Sequence, residues 1–97
     1  MDNILGRVVY SKSGRDKGKL FVIIEVVNDN YVMLVDGDMR TIENPKLKNT
    51  RHIHYTNLKA DKVVEYLNRG EMPDNHVIRK NLKQLIEARE THGKEVW

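Results

Sequence analysis

The stretch GRVVYSKSGRDKGKLFVIIEVVNDNYVMLVD, residues 6–36, decides the fold of this chain. It reads as an apolar strand, a charged loop with two glycines, a long apolar strand, a tight turn and a third apolar strand. The central strand, residues 19–27, is mostly apolar on both faces, with Glu25 interrupting one of them. A strand of this kind needs cover on both sides. We therefore expect one face to point into a small barrel and another element to cap the other face.

Turn signals predict the strands that complete the barrel. Residues 28–30, Asn-Asp-Asn, predict a turn before a third strand at residues 31–36. Asp36-Gly37 predicts a hairpin to a fourth strand at residues 39–43, followed by a loop that carries Lys46 and Lys48. Residues 51–55 could form a short fifth strand. Five short strands in about fifty residues indicate an SH3-like or OB-like barrel, and their shortness favours the SH3-like one.

After residue 56 the hydrophobic period changes from strand to helix. Two apolar stripes with helical spacing follow, formed by Ala60, Val63, Val64 and Leu67 and then by Ile78, Leu82, Leu85 and Ile86. Asn57 or Asp61 could cap the first helix, Gly70 would end it, and Asp74 is a plausible N-cap for the second. We therefore expect a mainly β fold with an α-helical C-terminal part. An SH3-like barrel would occupy residues 1–56, and a helical extension packed on it would occupy residues 57–97, with its tail after residue 91 frayed.

Length and composition limit the classes of protein that this chain can represent. Its 97 residues predict one small domain, and 39% hydrophobic with 32% charged residues is typical of a globular chain. There is no cysteine, which excludes a disulfide scaffold, a thiolate metal site and a cysteine nucleophile, and suits the reducing cytoplasm. Residues 1–5 lack the features of a signal peptide, and the longest apolar run, residues 20–24, is too short to span a bilayer. We expect a cytoplasmic protein.

The charged loop between the first two strands is the main candidate for a binding site. Residues 11–19 carry four cations against one anion, and we call residues 12–19 the basic loop. Lysine and arginine neutralise phosphates and release counterions, which makes the largest contribution to nucleic-acid affinity. Gly14 and Gly18 would permit a turn and a close approach of backbone N–H groups to a phosphate. A charge run is also typical of a merely solvated surface, so that alternative stays open.

A second set of cations lies in or beside later strand connections, and both sets could share one rim of the barrel. The predicted RNA-binding residues are Lys12, Ser13, Gly14, Arg15, Asp16, Lys17, Gly18, Lys19, Arg40, Lys46, Lys48 and Arg51. Arg15 and Lys17 would contact phosphates, while Asp16 would hold the shape of the loop or pair with Arg15. Arg79, Lys80 and Lys83 in the second predicted helix could extend this surface, but cations at an exposed site cost little there, so a solvated helix face is the preferred explanation.

A family resemblance supports this interpretation. The run from residue 6 to residue 49 resembles a KOW-motif domain, and more narrowly the archaeal and eukaryotic large-subunit ribosomal proteins of the fourteen-e family with their small bacterial KOW-domain relatives. The matching marks are Gly6-Arg7-Val8-Val9, Ser13 to Gly18, the apolar strand, Asp36-Gly37 and Glu43-Asn44-Pro45-Lys46. Gly18 takes the place of the glycine characteristic of the motif. The resemblance implies an SH3-like barrel that binds RNA, in particular ribosomal RNA, and does not extend to the helices.

Other candidate residues have ordinary explanations. Tyr10, Tyr31 and Tyr55 could stack on unpaired bases, but strand tyrosines are more often half-buried. His52 and His54 lie on the same face of a predicted strand, and such a pair could supply two ligands of a metal site. A metal site needs further ligands, and His76 and His92 are remote from this pair in sequence, so no metal is expected. Asp36 and Asp38 are explained by turn chemistry rather than by acid–base catalysis.

Three function classes therefore remain. The first is a non-enzymatic RNA-binding protein without a cofactor, ribosomal or ribosome-associated, with RNA and translation proteins as partners. The second is an SH3-like protein-interaction module of the transcription or translation machinery, which predicts an exposed apolar patch on the helical part. An enzyme is the least supported, because no nucleotide-binding loop or nucleophile motif is present.

Overall fold

The computed structural model describes residues 3–92, with side chains up to Arg89. Five strands come first: β1 (Arg7–Ser11), β2 (Leu20–Val26), β3 (Tyr31–Val35), β4 (Lys46–Asn49) and β5 (Ile53–Lys59). One turn of 3₁₀ helix, Thr50–His52, joins β4 to β5, and two helices follow, α1 (Asp61–Asn68) and α2 (Asn75–His92). Within the described range, neither helix is both long and apolar enough to cross a membrane.

The five strands form one antiparallel sheet in the order β4-β3-β2-β1-β5. The two edge strands, β4 and β5, are consecutive in the chain and are joined by a single turn. This short connection brings the two edges toward each other, so the sheet curls into a small barrel-like fold. A register shift between Ile23 and Glu25 marks a bulge in β2, and such a bulge increases the local bend. The predicted fold class, mainly β with a C-terminal helical part, is confirmed.

The central strand β2 is covered on both faces, as its sequence predicts. One face lies in the barrel core with Val9, Phe21, Ile23, Val32, Leu34 and Ile53. The other face lies in a second core, where Val8, Val22, Ile24 and Val35 of the sheet pack with Ala60, Val63, Ile78 and Leu82. The apolar stripes of both helices therefore cap the outer face of the sheet, and burial of these side chains from water favours that arrangement.

Helix α1 receives its N-terminal cap from the other helix. Its own N-cap residue, Ala60, is fully buried and makes no side-chain capping bond. The amide oxygen of Asn81, in α2, accepts hydrogen bonds from the backbone N–H groups of Lys62 at 2.9 Å and Val63 at 3.3 Å. The amide nitrogen of Asn81 donates to Oδ1 of Asp61 at 3.0 Å. Asn81 thus satisfies free donors of the first turn and ties the two helices together.

The start of α2 is fastened to the segment between β3 and β4. Asp74 caps the helix, as predicted, because its Oδ1 accepts from the Val77 N–H at 2.9 Å. Oδ1 of Asn75 accepts from the Ile42 N–H at 2.9 Å, and its amide nitrogen donates to Glu43 at 2.8 Å. Gly37 lies against α2 with φ of +81°, and a Cβ added there would collide with the carbonyl oxygen of Asn75 and with Arg79.

The predicted fourth strand is wrong. Residues 39–43 form a turn, because Oδ1 of Asp36 accepts from the N–H groups of Asp38 and Arg40 and closes the chain on itself. The β-pairing there, among the described residues, is limited to an isolated antiparallel bridge between Thr41 and Asn44. The fourth strand is instead β4, where the sequence predicts a loop containing Lys46 and Lys48. The fifth strand is longer than predicted and reaches Lys59. The division into domains at residue 56 stays a prediction, and the frayed tail expected after residue 91 falls mostly outside the described residues.

Candidate functional site

The basic loop connects β1 to β2 and is closed by its own backbone hydrogen bonds. The N–H of Ser11 donates to the carbonyl of Lys19 at 3.1 Å, and the N–H of Gly18 donates to the carbonyl of Ser11 at 2.8 Å. The N–H of Lys19 donates to the carbonyl of Asp16 at 2.9 Å. These bonds hold the loop as a defined turn at one end of the sheet. The Gly18 N–H is used inside the loop and is therefore not a donor for a bound anion.

The position of Gly18 requires glycine for its backbone conformation. Its φ is +84°, in the left-handed region that side-chain-bearing residues rarely adopt. An added Cβ would meet no atom within 4 Å. Gly18 therefore serves the turn itself and does not make room for another part of the protein.

Asp16, the one acid in the basic loop, is fixed from inside the protein. Its Oδ1 lies 2.8 Å from the hydroxyl oxygen of Ser11 and 3.3 Å from Nζ of Lys48. The same ammonium group donates to the carbonyl of Ser13 at 3.1 Å. The side chains of Lys48 and Asp16 are only 10% and 15% exposed. Lys48 of β4 therefore holds the basic loop in place through these two contacts. Asp16 pairs with Lys48 rather than with Arg15.

The electrostatic state of Asp16 follows from these contacts. Burial by itself would raise the pKa of the Asp16 carboxyl group, since burial disfavours the charged form. The hydrogen bonds from Ser11 and Lys48, together with the attraction of the Lys48 charge, outweigh burial and lower that pKa below its ordinary value. Asp16 is accordingly ionised at neutral pH, and its charge is balanced by Lys48.

The remaining cations of the basic loop point outward. Lys12, Arg15, Lys17 and Lys19 are all exposed. In the part of the chain that the structure describes, none of the four side chains makes an ion pair or a hydrogen bond. Arg51 is exposed next to His52, whose carbonyl accepts from the Lys12 N–H at 2.8 Å. The structure therefore presents five exposed cations around one closed turn, with the only acid of the turn already neutralised.

The other predicted site residues lie in different surroundings. Gly14 is exposed beside Asp16 and Lys48, and the carbonyl of Ser13 accepts from Lys48. Lys46 begins β4, at the end of the sheet where β3 finishes. The backbone of Arg40 is bonded to Asp36 and Gly37, in the turn on which α2 rests. No hydrogen bond or ion pair joins Arg40 or Lys46 to the basic loop within residues 3–92.

Ser11 has a role that the predicted site omits. It is fully buried, and its hydroxyl oxygen lies 2.8 Å from both the Ser13 carbonyl and Asp16. The available signal was its spacing from Val9: two residues apart on a strand, the two side chains share the inward face. A serine at an inward position indicates an internal hydrogen bond, because a buried hydroxyl needs a partner.

The three tyrosine candidates and His54 lie on strands of the sheet, whereas His52 ends the 3₁₀ turn before β5. Tyr10 and His54 are direct partners on β1 and β5, and their rings stack with centroids 4.6 Å apart and planes inclined by 25°. Tyr31 and Tyr55 are each 38% exposed. Among the described residues, no group of three or more histidine or acidic side chains is arranged to hold a metal ion.

The fold and this surface define a small barrel-like module with a cationic turn at one end and two helices on its outer face. Comparison with known proteins finds relatives among proteins of the large ribosomal subunit. The chain is 39% identical over 59 residues to large ribosomal subunit protein eL14 of Tetrahymena thermophila, which covers 61% of this chain and 44% of that protein. It is 33% identical over 57 residues to the eL14 proteins of Pyrobaculum islandicum and Pyrobaculum arsenaticum, covering 59% of this chain and 55% of each relative.

These relatives confirm the predicted resemblance to the fourteen-e family of large-subunit ribosomal proteins. The chain spans about half the length of the curated relatives it matches. No protein-family model matches the chain.

Proposed function

We propose that this protein is a non-enzymatic, ribosomal or ribosome-associated component of translation. It binds structured RNA, principally ribosomal RNA, through the basic loop. One observation carries the proposal. Asp16 is neutralised by Lys48 at 3.3 Å inside the protein, so the exposed cations of the loop are not opposed by the acid that stands among them in sequence. Unopposed cations on a fixed turn are suited to contact phosphates.

Within this proposal the residues have separate roles. Arg15 and Lys17, on the exposed outer part of the turn, contact phosphates, and Lys12, Lys19 and Arg51 flank them. Asp16 and Lys48 keep the turn in shape. Arg40, in the turn after β3, and Lys46, at the start of β4, lie at the same end of the sheet and widen the positive surface there. The names of the relatives, which are proteins of the large ribosomal subunit, support ribosomal RNA as the target.

The rival function, a protein-interaction module, has less support. That hypothesis predicts an exposed apolar patch on the helices. The helical stripes are instead used against the sheet, where Val63, Ile78 and Leu82 are buried. Of the helix side chains that the structure describes, no large apolar one is exposed. Up to Arg89, the helices therefore leave little apolar surface for a protein partner.

The proposal is tested by equilibrium binding to purified large-subunit ribosomal RNA over a series of salt concentrations. The test variant is Arg15→Glu with Lys17→Glu. We expect weaker binding, and a salt slope that is smaller by roughly 0.7–0.9 for each phosphate that the variant no longer neutralises. Circular dichroism and thermal unfolding would establish that the variant is folded.

A charge-matched control separates a local contact from a general effect of net charge. Asn30→Asp, Asn57→Asp and Lys59→Glu together change the net charge by the same amount as the loop variant. All three residues are exposed and lie away from the basic loop, and none makes a side-chain hydrogen bond in the described structure. We expect this control to bind nearly as the wild type does. Equal loss in both variants, or no loss in either, would show that the basic loop is not the RNA site.

A further inference from the structure

A groove runs between the two helices on the outer side of the molecule. Its volume is about 420 Å³, and it is open to solvent. The charged and aromatic side chains along it are Lys62, Glu65, Tyr66, Arg69, His76 and Lys80. The guanidinium group of Arg69 lies over the ring of Tyr66, 4.8 Å from its centroid. We call this feature the helical groove.

The helical groove carries more positive than negative side chains. Lys62, Arg69 and Lys80 carry positive charges along it, and Glu65 is the only acid among the described residues that line it. Glu71 lies just outside the lining and pairs with Arg69 at 3.5 Å, with both side chains more than half exposed. A second, smaller depression of about 290 Å³ adjoins it on α2 and is lined by His76, Arg79, Lys80 and Lys83, all of them basic side chains. His76 and Lys80 line both. The two depressions form one continuous cationic face on the helical pair.

This face adjoins the same end of the sheet as the basic loop. The basic loop enters β2 at Leu20, and β3 leaves the sheet at Val35, which pairs with Val22. The segment that follows β3 is the one to which Asn75 is bonded at the start of α2. Nη1 of Arg79 donates to the carbonyl of Gly37 in that segment at 2.6 Å. The basic half of α2 therefore begins beside the connections that carry the cationic end of the barrel.

We infer that the helical groove is a second RNA-binding surface, which contacts the phosphate backbone of the same RNA that the basic loop binds. The inference rests on the proposed function. It specifies the ligand as a folded RNA that presents two separate stretches of backbone to the two surfaces of this small protein.

The lining of the groove favours RNA over an acidic protein segment. Peptides that dock in helical grooves depend on buried apolar or aromatic anchors. Here Val77 is half-buried, and the ring of Tyr66 is covered by Arg69. Phosphates need only accessible cations, and contacts of that kind position an RNA without reading its bases.

The test compares three folded proteins with the wild type in binding to large-subunit ribosomal RNA over a salt series. They are the loop variant Arg15→Glu/Lys17→Glu, a groove variant Lys62→Glu/Lys80→Glu, and the charge-matched control Asn30→Asp/Asn57→Asp/Lys59→Glu. Lys62 lies in the first turn of α1, where the helix dipole favours an acid, so this reversal is compatible with folding. Hydroxyl-radical footprinting of the RNA locates the contacted backbone.

We expect the groove variant to bind about tenfold or more weakly than the control, with a salt slope lower by about 1 for each cation reversed. Wild-type protein should protect two stretches of RNA backbone. The groove variant should lose one of them and keep the stretch that the loop variant loses.

The possible failures are distinguishable. If the groove variant binds and protects RNA as the control does, while the loop variant is impaired, the inference is overturned and the proposed function stands. If both variants match the control, the proposed function fails and the inference fails with it. If the groove variant keeps its RNA footprint but loses binding to poly-glutamate that the wild type shows, the groove is a site for acidic protein segments, and the inference is likewise overturned.

Discussion

The ammonium group of Lys48 lies 3.3 Å from Oδ1 of Asp16, and this ion pair fastens the basic loop to strand β4. The two residues are 32 positions apart in the chain. Both side chains are largely buried, so the pair is screened less by solvent than a surface pair would be. One lysine is thus placed inside the fold, and the acid of the loop is withdrawn from the surface that the other cations occupy.

Removing the inner lysine should destabilise the protein. In Lys48→Met, the largely buried carboxylate of Asp16 loses its cation, so we expect the free energy of unfolding to fall by about 1–3 kcal/mol. Urea unfolding followed by circular dichroism measures the loss. Lys46→Met is the matched control on the same strand, because Lys46 makes no ion pair with any described residue. Similar losses in both variants would contradict the structural role of Lys48.

The same pair predicts a dependence of stability on pH. The pKa of Asp16 is lower in the folded protein than the ordinary value of 3.8, so the unfolded state binds the proton more readily. The stabilisation from Asp16 is therefore fully present above pH 3.8 and is lost as the pH falls through the lower pKa of the folded state.

We expect the difference in unfolding free energy between the wild type and Asp16→Asn to be constant from neutral pH down to about pH 5 and then to shrink in acid. Urea titrations over this range measure it. A difference that grew as the pH fell would have the wrong sign and would refute the assignment.

Two glycines with nearly the same backbone angle should respond differently to alanine. Gly18 and Gly37 have φ of +84° and +81°. At Gly18 a Cβ meets open space, so Gly18→Ala should cost only the backbone strain, about 1 kcal/mol. At Gly37 a Cβ would also collide with Asn75 and Arg79 of α2, so the loss should be clearly greater. Thermal unfolding compares the two, and equal losses would show that α2 does not rest on Gly37.

The cap that Asn81 provides should be worth a measurable amount of stability. Asn81→Ala leaves the N–H groups at the start of α1 without this acceptor, and we expect a loss of about 1–3 kcal/mol. Gln84→Ala, an exposed change one turn further along α2, serves as the control and should be nearly neutral. If the two variants unfolded at the same urea concentration, the capping bonds of Asn81 would not contribute to stability.

The parts of the fold that the sequence predicts well are those governed by hydrophobic period. The two apolar faces of β2 predict cover on both sides, and the structure has the barrel core on one face and the helices on the other. The apolar stripes of α1 and α2 likewise predict both helices, because each stripe is formed by residues close together in sequence. Asp74 is predicted as an N-cap because it stands just before the second apolar stripe, and its side chain does cap α2.

The parts that could not be predicted depend on partners distant in sequence. Residues 46–49, Lys-Leu-Lys-Asn, look like a polar loop, because Lys48 is a poor candidate for a buried position. Its burial is possible only because Asp16 and the Ser13 carbonyl meet it from the other side of the fold. The cap of α1 is similar: Ala60 lies in the core, so no polar residue stands there, and the acceptor comes from Asn81. The sequence predicts the exposed cations of the basic loop, but it does not predict that Lys48 pairs with Asp16 inside the protein.

The placement of Lys48 also predicts that this internally paired lysine and the exposed Arg15 contribute differently to RNA binding. Because Lys48 is held inside the protein, the neutral pair Asp16→Asn/Lys48→Met should keep the salt slope of the wild type, even if its affinity falls through a less ordered loop. Arg15→Gln removes an exposed cation and should lower the slope by roughly 0.7–0.9. Binding to large-subunit ribosomal RNA over a salt series measures both. If the neutral pair lowered the slope as Arg15→Gln does, Lys48 would have to reach a phosphate, and the loop would then open when RNA binds.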